Sequence, residues 1–280
     1  MHIPVLLNEV LEYFEPISGK KIIDATANGG GHTLSLRKKG ADVLPIEWDP
    51  GLAKEIGAVN DTYVNLEAIA DKHEFSKCDG VLFDLGFSSR HLESGRGFSF
   101  EKDEPLDMRY NSSSQTAVEI INLYTESELE RILREYGEER FSKGIARSIV
   151  ESRRKERIIT TKQLVHVILG GIPAAYRHKR IHAATRTFQA LRIEANSELE
   201  NLRLGLLASL SVLKVGGRVI VISFHSLEDK IVKDFFKKMK MESKLQIITK
   251  KPIMAQEDEI SINPRSRSAK LRVAEKITHI

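Results

Sequence analysis

The chain has 280 residues, 41% apolar and 29% charged, with a formal net charge of +4. That balance excludes a disordered or fibrous protein and leaves room for one large domain or a core with an insertion. A single cysteine, Cys78, excludes an internal disulfide framework and any multi-cysteine metal site. No apolar run reaches the roughly 18 residues of a membrane span, and Met1-His2-Ile3-Pro4-Val5-Leu6-Leu7 lacks the features of a signal peptide, so a soluble cytoplasmic protein with no membrane partner is expected.

In chain order, Lys20 to Ala25 reads as a buried strand running into Thr26-Ala27-Asn28-Gly29-Gly30-Gly31-His32-Thr33, a glycine turn ahead of a helix. Glycines let the backbone approach a ligand and bare the amides of a helix N-terminus. A second strand, Ala41 to Glu47, ends on a carboxylate about 20 residues beyond the turn, where an acid can hold ribose hydroxyls. Pro45 demotes this strand toward an edge or a bulge. Strand, loop and carboxylate together indicate a nucleoside-containing cofactor. The loop has neither a full Gly-x-Gly-x-x-Gly fingerprint nor a P-loop lysine, which disfavours NAD and ATP respectively.

Asp79 to Gly86 reads as a third strand, placing Asp84 and Ser88 where open α/β sheets build their sites. Two loop-like segments follow, Arg96-Gly97-Phe98-Ser99-Phe100 and Pro105-Leu106-Asp107-Met108-Arg109. Apolar residues at three-to-four spacing then predict helices from Ala117, over Glu128–Tyr136, Phe141–Ser152 and Thr161–Leu169. Arg131 to Arg192 holds roughly 15 basic against roughly 5 acidic residues, leaving the rest of the chain near −6. A basic middle in an acidic frame points to a face that meets a polyanion or, equally, to a solvated helical surface laced with ion pairs.

Gly216 to Ser223 gives the strongest strand signal, followed by Phe224-His225-Ser226-Leu227-Glu228-Asp229 at a helix start. A Ser-His-Asp hydrolase is disfavoured because no Gly-x-Ser-x-Gly elbow is present and His225 and Asp229 are near neighbours. No metal-ligand spacing is recognised. Near the C-terminus, Asn263-Pro264-Arg265-Ser266-Arg267-Ser268-Ala269-Lys270 is a basic loop suited to phosphate contacts. Continuous apolar strands alternating with helices predict an α/β fold, a doubly wound and mostly parallel sheet covered on both faces. The expected domains are 1–106 with 196–280, and a helical insertion over 107–195.

Taken together, the glycine loop, Asp84-Leu85-Gly86 with Ser88-Ser89, Arg96 to Phe100, Pro105 to Arg109, Tyr136-Gly137-Glu138-Glu139-Arg140-Phe141, Thr185 to Arg192, Ser223 to Asp229 and Asn263-Pro264-Arg265 resemble the RsmH (MraW) family almost end to end. The family comprises bacterial enzymes that methylate N4 of a cytosine in small-subunit ribosomal RNA with S-adenosylmethionine. The resemblance implies a class I, Rossmann-like methyltransferase with an inserted helical domain for RNA recognition. Its cofactor residues carry over to Gly30, Gly31, His32, Glu47, Leu66, Asp84 and His91, beside Gly29 of the same loop. The chain departs from the family's usual residues at Asn28 (Gly), Glu47 (Asp), Leu66 (an aromatic) and His91 (Gln).

Methyl transfer to a cytosine amine needs acceptors that hold N4–H in line with the methyl group. The expected acceptors are Asp84 first, then Ser88, Asp107 and His225. Phe87, Phe98 or Phe100 would stack the unstacked base. Arg109, Arg177, Lys179, Arg180, Arg186, Arg265 and Arg267 would meet the backbone of 16S ribosomal RNA or of the small subunit. The rival expectation is a non-catalytic RNA-binding assembly factor that keeps the methyltransferase fold.

Overall fold

The apolar runs form the middle of a seven-stranded sheet in the computed structural model, which describes residues 4–86, 88–112, 114–177 and 182–278. The strands are β1 Lys21–Asp24, β2 Asp42–Glu47, β3 Val59–Asn60, β4 Cys78–Asp84, β5 Leu213–Ser223, β6 Leu245–Ile247 and β7 Lys270–Lys276. Their order is β3-β2-β1-β4-β5-β7-β6. The first five pair in parallel, while β7 runs antiparallel to both β5 and β6.

Alternating side chains explain why the strands are continuously apolar. Ile23, Leu44, Ile46, Val81, Phe83, Val219 and Val221 share one core, while Ile22, Val43, Leu82, Ile220 and Ile222 share the other. A strand covered on both faces has no position left for water. The first face is covered by α4 Leu66–Lys72, α11 Glu198–Val212 and α12 Ser226–Met241, the second by α1 Leu7–Phe14 and α2 Gly31–Lys38. Helices α3 Pro50–Ile56 and α13 Glu257–Ile262 complete this part of the chain.

Pro45 does not place β2 at the edge. β2 lies between β3 and β1, with Pro45 in register with Asp24. The Ile46 carbonyl accepts from Ala27 N–H on the β1 side, so Pro45, one residue earlier, turns toward β3. There the ladder begins only at Ile46–Val59, and no donor is required of the proline.

By contacts the chain divides into two units, Met1–Ser88 with Leu199–Ile280, and Ser89–Glu198. The second unit contains α5 Ser89–Glu93, α6 Ala117–Leu123, α7 Glu126–Glu135, α8 Ser142–Arg153, α9 Thr161–Gly170 and α10 Thr185–Asn196. Its boundary falls at Ser89 rather than 107 because Leu92, Phe98, Phe100 and Leu106 pack with the helical residues Ile120, Leu133, Ile145, Leu164 and Leu191. Thr116, Thr125 and Thr160 start α6, α7 and α9 with reciprocal capping boxes to Glu119, Glu128 and Gln163.

Candidate active site

The site is built at the carboxyl edge of the sheet, where the turns after β1, β2, β4 and β5 emerge. Asn28 sits in the left-handed region at φ 49°, which Gly and Asn tolerate best. Its backbone N–H donates to Glu47 Oε2 (2.8 Å), and its Nδ2 donates to the carbonyls of Thr26 (3.2 Å) and Asp84 (3.1 Å). One residue thus ties the β1 loop to the ends of both neighbouring strands, by its backbone to β2 and by its side chain to β4. Asp84 N–H in turn donates to Thr26 Oγ1 at 2.5 Å. Gly30, at φ 76°, is the N-cap of α2 and supplies no side chain to its first amides. A Cβ on Gly31 would lie 3.1 Å from the Pro4 ring, which would have to shift by a few tenths of an ångström to admit it.

Three carboxylates are buried along this edge. Asp24 is 1% exposed; its Oδ2 accepts the Thr33 hydroxyl at 2.6 Å, and its Oδ1 has no partner among the described residues. Burial pushes its pKa up to about 6 against the pull of Thr33. Glu47 accepts Asn28 N–H on one oxygen and Asp49 N–H (2.9 Å) on the other, and burial raises it to about 7. Each oxygen keeps a second lone pair for a hydroxyl donor. Asp84 is raised to about 8, by burial first and then by the neighbouring Asp24 and Glu228 charges. His32 stands beside it, with Nδ1 3.5 Å from Asp84 Oδ2 and Nε2 3.0 Å from the Val5 carbonyl. A carbonyl only accepts, so Nε2 carries a proton.

The donor set fits a ligand that carries both a cation and a diol. Asp24 Oδ1, buried without a donor, is what a bound ammonium would satisfy. Asp24 was not among the residues expected from sequence. The available signal was that it ends β1 as Asp84 ends β4, an acid closing an apolar strand at the functional edge.

The structure brings Gly29, Gly30, Gly31, His32, Glu47 and Asp84 together at this edge, with Ser88 buried just beyond it. Leu66 differs from expectation: it is fully buried beneath the sheet with Leu44, Ile46 and Ile69, so its side chain offers no surface to a ligand. His225 is the N-cap of α12, its Nδ1 accepting Glu228 N–H (3.4 Å) and its Nε2 3.1 Å from Glu228 Oε1. Asp229 is held by Arg272 and Lys270.

Of the remaining expected residues, Arg265 and Arg267 belong to the sheet unit and His91, Phe98, Asp107, Arg109, Arg177 and Arg186 to the helical unit. Asp107 and Arg109 engage each other through two contacts of 2.6 and 3.0 Å, and Arg109 also donates to the Ser112 and Ser114 carbonyls. That carboxylate and guanidinium brace their own loop, which holds the Asp107 carboxyl below its ordinary value. Phe98 is enclosed, stacked on Tyr110 with centroids 5.4 Å apart and the Arg96 guanidinium 5.4 Å over the ring. His91 packs against both rings in the same cluster and is 3% exposed. Neither ring presents an open face. Arg177, Arg186, Arg265 and Arg267 are exposed; Phe87, Lys179 and Arg180 lie outside the described residues.

The sequence model of the MraW methylase family matches residues 1–277. The chain is 44% identical to a protein of Persephonella marina over 99% of both chains. It is 46% identical to one of Deinococcus deserti over 99% of this chain and 94% of that one, and 43% identical to one of a Sulfurihydrogenibium species over 99% of both. All three are named ribosomal RNA small subunit methyltransferase H.

Proposed function

The chain belongs to the MraW methylase family, and from that premise we propose that it methylates N4 of a cytosine in the decoding region of 16S ribosomal RNA, with S-adenosylmethionine as donor. The observation that carries this reading is the row of buried acids at the carboxyl edge, with Asp24 Oδ1 lacking a donor. The names of the relatives support ribosomal RNA as the substrate class.

S-adenosylmethionine supplies a methyl group on a cationic sulfonium. Asp24 would bind its ammonium, Glu47 its ribose hydroxyls, and the turn of Gly29, Gly30 and Gly31 would admit it close to the backbone. Asp84 would hold the target amine. Burial favours its protonated form in the free protein; beside a bound cation the ionised form, which can accept N4–H, would be favoured. Ser88 would add a neutral contact. Exposed Arg177, Arg186, Arg265 and Arg267 would meet backbone phosphates.

Small subunits lacking the modification, incubated with the protein and labelled S-adenosylmethionine, should yield N4-methylcytidine on nucleoside digestion. Asp84→Asn should lower kcat by about 10²-fold, a usual loss for one transition-state contact. Label on another nucleoside would overturn the chemistry. Absence of any heat on titration with S-adenosylhomocysteine would favour the non-catalytic assembly factor instead.

A further inference from the structure

Many arginines of the helical unit are held by acids or by backbone carbonyls, Arg96 and Arg153 among the latter. Arg109, Arg131, Arg134, Arg147 and Arg192 each face a carboxylate within 3.7 Å. Arg140 is exposed and makes no ion pair among the described residues. It is fixed instead by rings, its guanidinium carbon 3.9 Å from the Tyr176 centroid and 4.5 Å from that of Phe141. The two rings lie 5.0 Å apart at 55°, both half-buried. Glycine makes this meeting possible: a Cβ on Gly171 would lie 2.7 Å from Ile145 Cα, so the turn carrying Tyr176 rests directly on α8.

Three more exposed cations surround the pair of rings in sequence and structure. Lys143 follows in the first turn of α8, Arg177 follows Tyr176, and Arg186 reaches back to donate to the Glu138 carbonyl at 3.1 Å. Among the described residues none of the three makes an ion pair. Glu139 is buried and accepts Phe141 N–H at 2.9 Å, leaving Glu138 as the exposed carboxylate of this segment.

We propose that Arg140, seated on Phe141 and Tyr176 and flanked by Lys143, Arg177 and Arg186, is a platform that grips a single-stranded stretch of the RNA substrate. A planar fork with its rotamer fixed by stacking is preorganised for two-point contact with a phosphate. The aromatic and guanidinium surfaces suit an unpaired base, which a duplex would keep hidden. The platform rests on the RNA reading of the preceding section but not on methyl transfer.

Anisotropy titration of a short fluorescein-labelled single-stranded RNA tests it. Arg140→Lys keeps the charge and removes the planar fork, and it should weaken binding about fivefold or more. Arg140→Ala should in addition make the log–log salt dependence shallower by about 0.7, one single-strand phosphate contact. Tyr176→Leu should act like Arg140→Lys, and Tyr176→Phe should bind as wild type does. A duplex of the same length should lose less than the single strand. Wild-type affinity in Arg140→Lys would overturn the platform while leaving the RNA reading intact, and loss only in Arg140→Ala would reduce it to a point charge and overturn it equally. A wild-type protein that binds no RNA would overturn both. S-adenosylhomocysteine titration of the same variants reports on folding, and should be unchanged.

Discussion

At Asp24 a buried carboxylate oxygen has no donor, and the cost of that arrangement is recovered when a cation is bound. Asp24→Asn keeps the shape and an oxygen for Thr33 but removes the charge. Calorimetry should then show S-adenosylhomocysteine binding weaker by about 1.5–3 kcal/mol, the range for a charged hydrogen bond. Unchanged affinity in the folded variant would assign the ammonium to another group. Glu47→Gln is a less clean probe, because both Glu47 oxygens accept backbone N–H groups and an amide NH2 would face one of them. At this scale the sequence showed residue types and strand ends, which sufficed to place Glu47, Asp84 and the glycine turn at the carboxyl edge of the sheet. It did not show direction. Leu66 turns into the core, Asp107 and Arg109 turn toward each other, and Phe98 and His91 are consumed by mutual stacking. Those orientations depend on partners distant in sequence, such as Tyr110 against His91, and carry no local signature.

Helix starts carry much of the organisation between the strands, and His225 belongs with them. Its Nδ1 accepts the N3 amide of α12 while Glu228 Oε2 accepts the N–H groups of Phe224 (2.8 Å) and His225 (3.3 Å). His225→Ala should cost about 1 kcal/mol of stability, as loss of a cap does, and His225→Asn should restore it. Denaturant midpoints measure that pair; if capping is the whole role, methyl transfer by His225→Asn stays near wild type. Lost turnover with stability retained would return the imidazole to the chemistry. The helices α6 to α9 were legible from their apolar periodicity, and threonine caps start α6, α7 and α9. Strands β3, β6 and β7 were not. β3 has two residues and β6 three, while β7 carries Lys270, Arg272, Glu275 and Lys276 along its length. β7 is specified by its long antiparallel register with β5 and by the pairing of Arg272 with Asp229, both long-range facts.

Across the whole molecule, the buried acids Asp24, Glu47 and Asp84 all lie in the sheet unit. The acids make stability depend on pH. Asp24, Glu47 and Asp84 have folded values of about 6, 7 and 8, above their ordinary ones. A raised carboxyl pKa favours the folded state fully below the unfolded value near pH 4. That contribution is lost in turn as pH rises through about 6, 7 and 8. Asp107 and Asp229, lowered mainly by their arginine partners against burial, act oppositely and only as pH falls through the acid range. Above about pH 4 the buried acids therefore dominate, and the ligand-free protein should lose stability as pH rises to about 8, with little further change from these groups beyond it. Trp48, the single tryptophan, directly follows Glu47 and gives a fluorescence signal from the sheet unit. Asp84→Asn removes the group with the highest value, so its melting temperature relative to wild type should rise between about pH 4 and pH 8 and level off above that. Saturating S-adenosylhomocysteine, whose ammonium offsets the ionised acids, should shrink that difference. Parallel melting curves for the two proteins over the interval would mean that Asp84 is already ionised in the free protein.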